Sequence, residues 1–294
     1  MQFTKPDYSG KNIFDEYFNK QNYGICDLTS GIIYMWANYF NYEYAVDSGA
    51  LYLRGAEIYN KNNTAYLPPL NIGAEGIKKL IEEVKKDGEP LILEPVPEEL
   101  VEEIQKNFNA EAIYLRDWSD YTYDAEELSR LAGKKLHKKR NLIYQFMADY
   151  QGYATEDITL NNCGEILTAF KSWKKTYGDS EMGKFEIDAT EKVLENLNFY
   201  KFDGLALRVG GKIVAFSMGE KYGEIYFTHI EKADIDYKGV YQMINLEFCR
   251  KIKAKYPEIK YFNREEDMGD EGLRQTKESY YPTMLKNKYK LIIK

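Results

Sequence analysis

The chain has 294 residues, of which 44% are apolar, 15% aromatic and 30% charged, with a net charge of −7. That length exceeds one typical compact domain, and 27 tyrosines and 14 phenylalanines supply enough burial for large cores and exclude a disordered chain. The negative balance argues against broad adhesion to duplex DNA or an anionic membrane. Cys26, Cys163 and Cys249 are far apart and outside any CxxC spacing, so they read as reduced thiols, with neither a disulfide framework nor a metal site. The N-terminus has no signal-peptide core and no stretch approaches the roughly 18 apolar residues of a membrane span, so a cytoplasmic location is expected.

In chain order, Ile13–Phe18 reads as a covering helix, followed by β-rich runs at Tyr42–Val46, Ala50–Ile58 and Thr64–Leu67. Asp47-Ser48-Gly49 and Asn60–Asn63 make the turns of this three-stranded meander. A helix is predicted from Ala74 to Lys86, a strand over Leu91–Glu94, a helix opened by Pro97 and running to Asn107, and a strand over Ala112–Leu115. Asp117–Gly133 is polar and reads as the boundary, dividing the chain into 1–122 and 123–294.

Beyond it, Leu136, Ile143, Phe146, Met147 and Tyr150 recur at helical spacing, with further helices expected near Cys163–Tyr177 and Ala189–Tyr200. A second meander follows in Gly204–Val209, Lys212–Lys221 and Glu224–Glu231, turned by Gly210-Gly211 and Tyr222-Gly223. Val240, Met243, Ile244, Phe248 and Ile252 mark a helix, Ile259–Phe262 a buried strand, Gly269–Tyr280 a helix and Tyr289–Ile293 a final strand. The same element order thus occurs twice, which predicts an α/β protein with mixed sheets built by internal duplication.

Three clusters carry candidate chemistry. Lys134–Arg140 crowds cations, with His137, Lys138, Lys139 and Arg140 followed by Asn141, at the start of a helix whose dipole opposes them. A phosphate would satisfy them, and a solvated face paired with Asp124, Glu126 and Glu127 is the alternative. Asn263-Arg264-Glu265-Glu266-Asp267 follows an apolar strand, with Arg274, Lys277 and Tyr280 on the next helix. Acids at a strand's carboxyl end suit proton acceptance, and the arginines suit a carboxylate or phosphate; a helix cap with surface ion pairs is the alternative. Lys238, Gly239 and Tyr241 begin a long helix where free N–H groups can receive a phosphate. His229 reads as a satisfied core or pocket histidine, and the strand end Glu94-Pro95-Val96-Pro97 as chemically plain. Walker, HExxH, GxSxG and GxGxxG motifs are lacking.

Lys138-Lys139-Arg140-Asn141, Asn263-Arg264-Glu265-Glu266-Asp267-Met268-Gly269, Gly272-Leu273-Arg274 and Lys277-Glu278-Ser279-Tyr280 together resemble the family related to the C-terminal domain of bacterial phosphatidylglycerol lysyltransferase. The resemblance implies tandem copies of the GCN5-related N-acetyltransferase (GNAT) fold, as in the Fem-type aminoacyltransferases. It implies transfer of an acyl or aminoacyl group to an amine or hydroxyl, with acyl-CoA or aminoacyl-tRNA as candidate donors. The GNAT acyl-CoA loop, Gln/Arg-x-x-Gly-x-Gly/Ala, reads Asp236-x-x-Gly239-x-Tyr241 here. On this reading Glu265, Glu266 and Asp267 are candidate proton acceptors and Tyr280 or Tyr241 the proton donor. The alternatives are a phosphate- or tRNA-binding module without catalysis and an acetyl-CoA-dependent N-acetyltransferase.

Overall fold

The computed structural model describes residues 1–85, 88–173 and 181–294. The predicted ends at Lys86 and Tyr177 lie outside the described residues. The chain divides into two compact units, one of Met1–Asp120, Glu266–Asp270 and Leu285–Lys294, the other of Tyr121–Glu265 and Glu271–Met284. Among the described residues no helix is long and apolar enough to cross a membrane.

The first unit opens with helices α1 (Lys11–Phe18) and α2 (Ser30–Trp36), the latter capped by the Thr29 hydroxyl, which accepts from the Ile32 N–H. Strands β1 (Glu43–Asp47), β2 (Ala50–Ala56) and β3 (Thr64–Tyr66) form the predicted meander. Helix α3 (Gly73–Val84), strand β4 (Leu91–Pro97), helix α4 (Glu98–Asn107) and strand β5 (Ala110–Tyr114) follow. The sheet is completed by β13 (Lys288–Ile293), which lies antiparallel between β4 and β5 in the order β1-β2-β3-β4-β13-β5. Tyr289–Ile293, expected to close the second half, instead pairs within the first unit's sheet. Leu291 and Ile293 there join Tyr52, Leu80, Leu93 and Val96 in the unit's core. Each such fully buried aliphatic side chain contributes about 1.5–3 kcal/mol.

The second unit begins at Tyr121, within β6 (Asp120–Asp124), and continues with α5 (Ala125–Arg130), both elements lying inside the stretch read as a boundary. Its helices α6 (His137–Asp149), α7 (Cys163–Trp173), α8 (Glu181–Glu195) and α9 (Leu197–Tyr200) accompany strand β7 (Ala154–Asp157). The second meander is β8 (Asp203–Val209), β9 (Lys212–Tyr222) and β10 (Ile225–Ala233), followed by α10 (Val240–Lys255), β11 (Tyr261–Asn263), α11 (Glu271–Glu278) and β12 (Met284–Lys286). These make a seven-stranded sheet ordered β12-β6-β11-β10-β9-β8-β7. Helix α10 buries Met243, Ile244, Phe248 and Ile252, and the ring of Phe248 meets Tyr226 of β10 edge-on at 5.6 Å.

Candidate active site

In the second unit β10 runs parallel to β11 only over Ile225–Phe227, which pair with Tyr261–Asn263. On its other side β11 is antiparallel to β6, and the chain keeps to β6 beyond Asn263: the Arg264 N–H donates to the Tyr121 carbonyl at 2.9 Å and the Tyr121 N–H to the Glu265 carbonyl at 3.0 Å. β10 meanwhile continues with β9 as far as Ala233, so the pairing of β10 with β11 ends at Phe227 and Asn263 and the two strands part at their carboxyl ends, where a sheet of this kind opens to a ligand. Against β9, the register of β10 shifts between Thr228 and Ile230, so His229 is the extra residue of a bulge. Glu265 holds a left-handed φ of 59°, stabilised by its N–H donating to the Asn263 side-chain oxygen at 2.7 Å. A residue other than glycine in that region stores strain, a cost that tends to persist at functional sites.

Two groups of side chains fill the opening. In the first, the buried His229 ring has Glu265 Oε1 at 2.6 Å from Nδ1 and Glu220 Oε1 at 3.1 Å from Nε2. Burial pulls the imidazole pKa down, yet hydrogen bonds to Glu220 and Glu265 outweigh it and raise the pKa to about 9. At neutral pH the ring is an imidazolium that orients Glu265. In the second, Arg264 Nη2 donates to Glu231 Oε1 at 2.8 Å, and Asn245 Nδ2 donates to Glu231 Oε2 at 3.0 Å. Arg264 Nη1 and Asn245 Oδ1 are buried and have no hydrogen-bond partner among the described residues.

The Arg264 guanidinium lies 4.9 Å from the Tyr280 ring centre and 5.7 Å from that of Tyr123, while Lys139 Nζ sits 4.2 Å from the Tyr280 ring. Lys277 Nζ donates to the Arg264 carbonyl at 2.6 Å. Burial, then the charge of Arg264, lowers the Lys139 pKa to about 8. Burial pushes the Tyr280 hydroxyl well up, so it stays protonated at neutral pH.

The structure thus brings together Lys139, Asn263, Arg264, Glu265, Lys277 and Tyr280 from the sequence-predicted set. Glu231, Asn245 and Glu220 were missed; they stand on β10, α10 and β9 with no motif to mark them. His229 is the satisfied buried histidine that its strand position predicted. The rest of the basic run disperses. His137, Lys138 and Asn141 are exposed, Lys135 pairs with Glu127 at 2.7 Å, and Arg140 Nη1 donates to the carbonyls of Leu131 and Gly133. Lys238 is exposed, and Tyr241 and Arg274 are half-buried. Gly239, at φ 83°, lets α10 start against α6: a side chain there would place its Cβ 2.5 Å from the Leu142 carbonyl oxygen.

Glu266 and Asp267 have their partners in the first unit. Asp267 pairs with Arg116 at 3.2 Å and accepts from the Gly269 N–H at 2.9 Å. Glu266 lies 3.6 Å from Lys288 Nζ, which also meets Asp27 at 2.5 Å, Asp120 at 2.6 Å and Cys26 Sγ at 3.4 Å. Cys26, Asp27 and Asp120 converge closely enough to ligate a metal, but the ammonium of Lys288 already sits among them. Burial pulls the Lys288 pKa down, and Asp120 and Asp27 outweigh it, leaving it raised well above its ordinary value.

The strand end read as plain holds a buried acid. Glu94 Oε2 accepts from the Ile58 N–H at 2.7 Å, Oε1 lacks a partner among the described residues, and burial raises the carboxyl pKa from 4.5 to about 7. A raised carboxyl pKa stabilises the fold fully below the unfolded value, and that contribution is lost as pH rises through 7. Glu94→Gln keeps the acceptor for Ile58. It is expected to be more stable than the parent at pH 8 by on the order of 2 kcal/mol, with the gain vanishing by pH 4. Thermal melts across pH check this, and a gain independent of pH would contradict it.

Two mixed sheets, each with an antiparallel meander joined to a parallel strand through a helix, make a tandem GNAT-like α/β fold. FemX has this fold: its structure aligns with 100% of this chain and 98% of its own at a TM-score of 0.57 and 8% identity. The chain belongs to the family described as phosphatidylglycerol lysyltransferase, C-terminal, whose model matches residues 20–292. A conserved protein of unknown function from Bacteroides thetaiotaomicron is 29% identical, with a TM-score of 0.92 over 100% of both chains. L-PGS from Bacillus licheniformis aligns with 98% of this chain and 92% of its own at a TM-score of 0.67 and 15% identity. An uncharacterised protein of Mycoplasmoides gallisepticum is 21% identical over 193 residues, 64% of this chain, and the match spans 60% of that relative's length.

Proposed function

We propose that the chain is an acyl- or aminoacyltransferase whose chemistry takes place around Arg264 and Glu265, with an aminoacyl-tRNA as donor and an amine or hydroxyl as acceptor. The observation that carries this reading is the buried Arg264 guanidinium, tied to Glu231 through Nη2 while Nη1 has no hydrogen-bond partner among the described residues. A buried donor left unpaired costs about 1–3 kcal/mol, which a ligand oxygen recovers. Lys139 beside it adds a second cation, and its lowered pKa returns toward the ordinary value when an anion arrives.

In this reading Arg264 and Lys139 hold the donor's terminal phosphate or the acyl oxygen. Glu265, oriented by His229, accepts the proton of the attacking amine or hydroxyl as the new bond forms at the ester carbonyl. The ribose oxygen then leaves with the electrons of the broken ester bond, and Tyr280 supplies its proton; Glu265 returns a proton to Tyr280 through solvent. A coenzyme A donor is disfavoured because the start of α10 is packed against the Leu142 carbonyl and the preceding loop carries Asp236.

The test offers radiolabelled aminoacyl-tRNAs and acetyl-CoA to the purified chain, with ethanolamine and glycerol as surrogate acceptors. Enzyme-dependent movement of label from tRNA to an acceptor is expected. Turnover of acetyl-CoA with none from any aminoacyl-tRNA overturns the donor assignment. Salt-sensitive tRNA binding without transfer favours a second reading, a phosphate-binding module using the exposed Lys134, His137 and Lys138.

A further inference from the structure

The first unit carries a cavity of about 450 Å³ between α3, α4 and the Pro68–Ile72 segment, away from every side chain used above. Its walls are Leu70, Ile77, Leu100, Ile104 and Phe108. That size and apolar lining fit a small organic ligand rather than a few waters. The wall is fixed closely: α3 approaches the Pro69–Ile72 segment through Gly76, where a Cβ would lie 2.3 Å from Ile72 Cγ2 and 2.7 Å from Pro69 Cβ.

Charge selects among apolar ligands. Glu103, exposed at the mouth on α4, is the one charged side chain among the described lining residues. It has no ion-pair partner among the described residues. Tyr23, also at the mouth, feels this field: burial, then Glu103, then Glu99, raises its pKa. The phenol therefore stays neutral and cancels none of the acid's charge. Gln21, Asn71 and Asn107 complete a rim that is polar and uncharged.

We propose that this cavity binds an amphipathic amine, with the apolar body among Ile77, Leu100, Ile104 and Phe108 and the ammonium against Glu103. The proposal concerns the first unit and stands whether or not the transferase reading holds.

Three probes of one shape test it on the full chain by ligand-observed NMR: 2-phenylethylamine, 2-phenylethanol and 3-phenylpropionate. Saturable binding of the amine is expected, about five-fold tighter than the alcohol, since a partly exposed charge pair contributes up to about 1 kcal/mol, with the carboxylate not detected. Glu103→Gln is expected to bring the amine down to the alcohol's affinity. Ala74→Phe, which fills the cavity from α3, is expected to abolish binding of both while melting like the parent. An amine preference that survives Glu103→Gln, an alcohol that binds as tightly as the amine, or no saturable binding by any probe overturns the proposal.

Discussion

Replacing Lys288 with methionine is expected to lower the unfolding free energy by about 3–5 kcal/mol, the usual cost of removing one partner from a buried charge cluster. Methionine nearly matches the length of the lysine stem, so packing is largely kept while the ammonium is lost. Asp27, Asp120 and Glu266 then lose the ammonium they share, beside the thiol of Cys26, at a place where Lys288 is 0% exposed and bulk solvent screens little. Urea unfolding should show a fall in midpoint with little change in slope. The double variant Lys288→Met, Asp120→Asn should recover part of the loss, because one of the two closest carboxylates is then neutral. A fall under 1 kcal/mol would mean that the cluster tolerates its own repulsion, and the account of Lys288 as its neutralising centre would fail.

Glu265→Gln is expected to reduce transfer by about 10²- to 10⁴-fold, the usual contribution of a positioned proton acceptor. Its second effect is independent of any assay for transfer. Losing one of two carboxylates should drop the His229 pKa from about 9 toward its ordinary value. A histidine whose folded pKa is raised stabilises the fold fully below the unfolded value of 6.5, and this is lost as pH rises through 9. The variant should therefore show a shallower decline in stability between those limits. The chain has only two histidines, so the His229 ring resonance can be followed directly by NMR titration. Full transfer activity in the variant would remove Glu265 from the mechanism, and an unmoved titration would remove its pairing with His229.

The duplicated frame was legible because meander, helix, strand and helix each carry their own period and turn residues. What stayed hidden depended on partners distant in sequence. Strand β6 reads Asp-Tyr-Thr-Tyr-Asp, a polar string that became part of the boundary stretch, yet Asp120, Tyr121, Thr122 and Tyr123 are at most 2% exposed. Its burial is explained only once Asp120 meets Lys288, 168 residues away, which no local pattern encodes. The burial of Glu94 is hidden for the same reason, since most of the residues lining its recess, Ile58, Ala65 and Trp118 among them, stand far from it in sequence.

The site was half legible. Arg264, Glu265 and Tyr280 sit in a motif dense in charge, and Lys139 stands in a conspicuous basic run. Glu231 and Asn245 sit singly on a strand and a helix that otherwise read as core. The run of acids was misleading in one respect: Glu265 and Glu266 are adjacent in sequence, yet each meets partners from a different unit.

The position of β13 bears on how the protein is made. Residues 288–293 are synthesised after every residue of the second unit, and they form an interior strand of the first unit's sheet, with β4 on one side and β5 on the other. During translation the earlier-made half waits with two strand edges unpaired, while the later-made half can close first. A nascent chain in that state exposes the kind of edge that recruits foreign strands or chaperones. A released chain that ends at residue 287 should therefore show a protease-sensitive amino-terminal half beside a resistant second one.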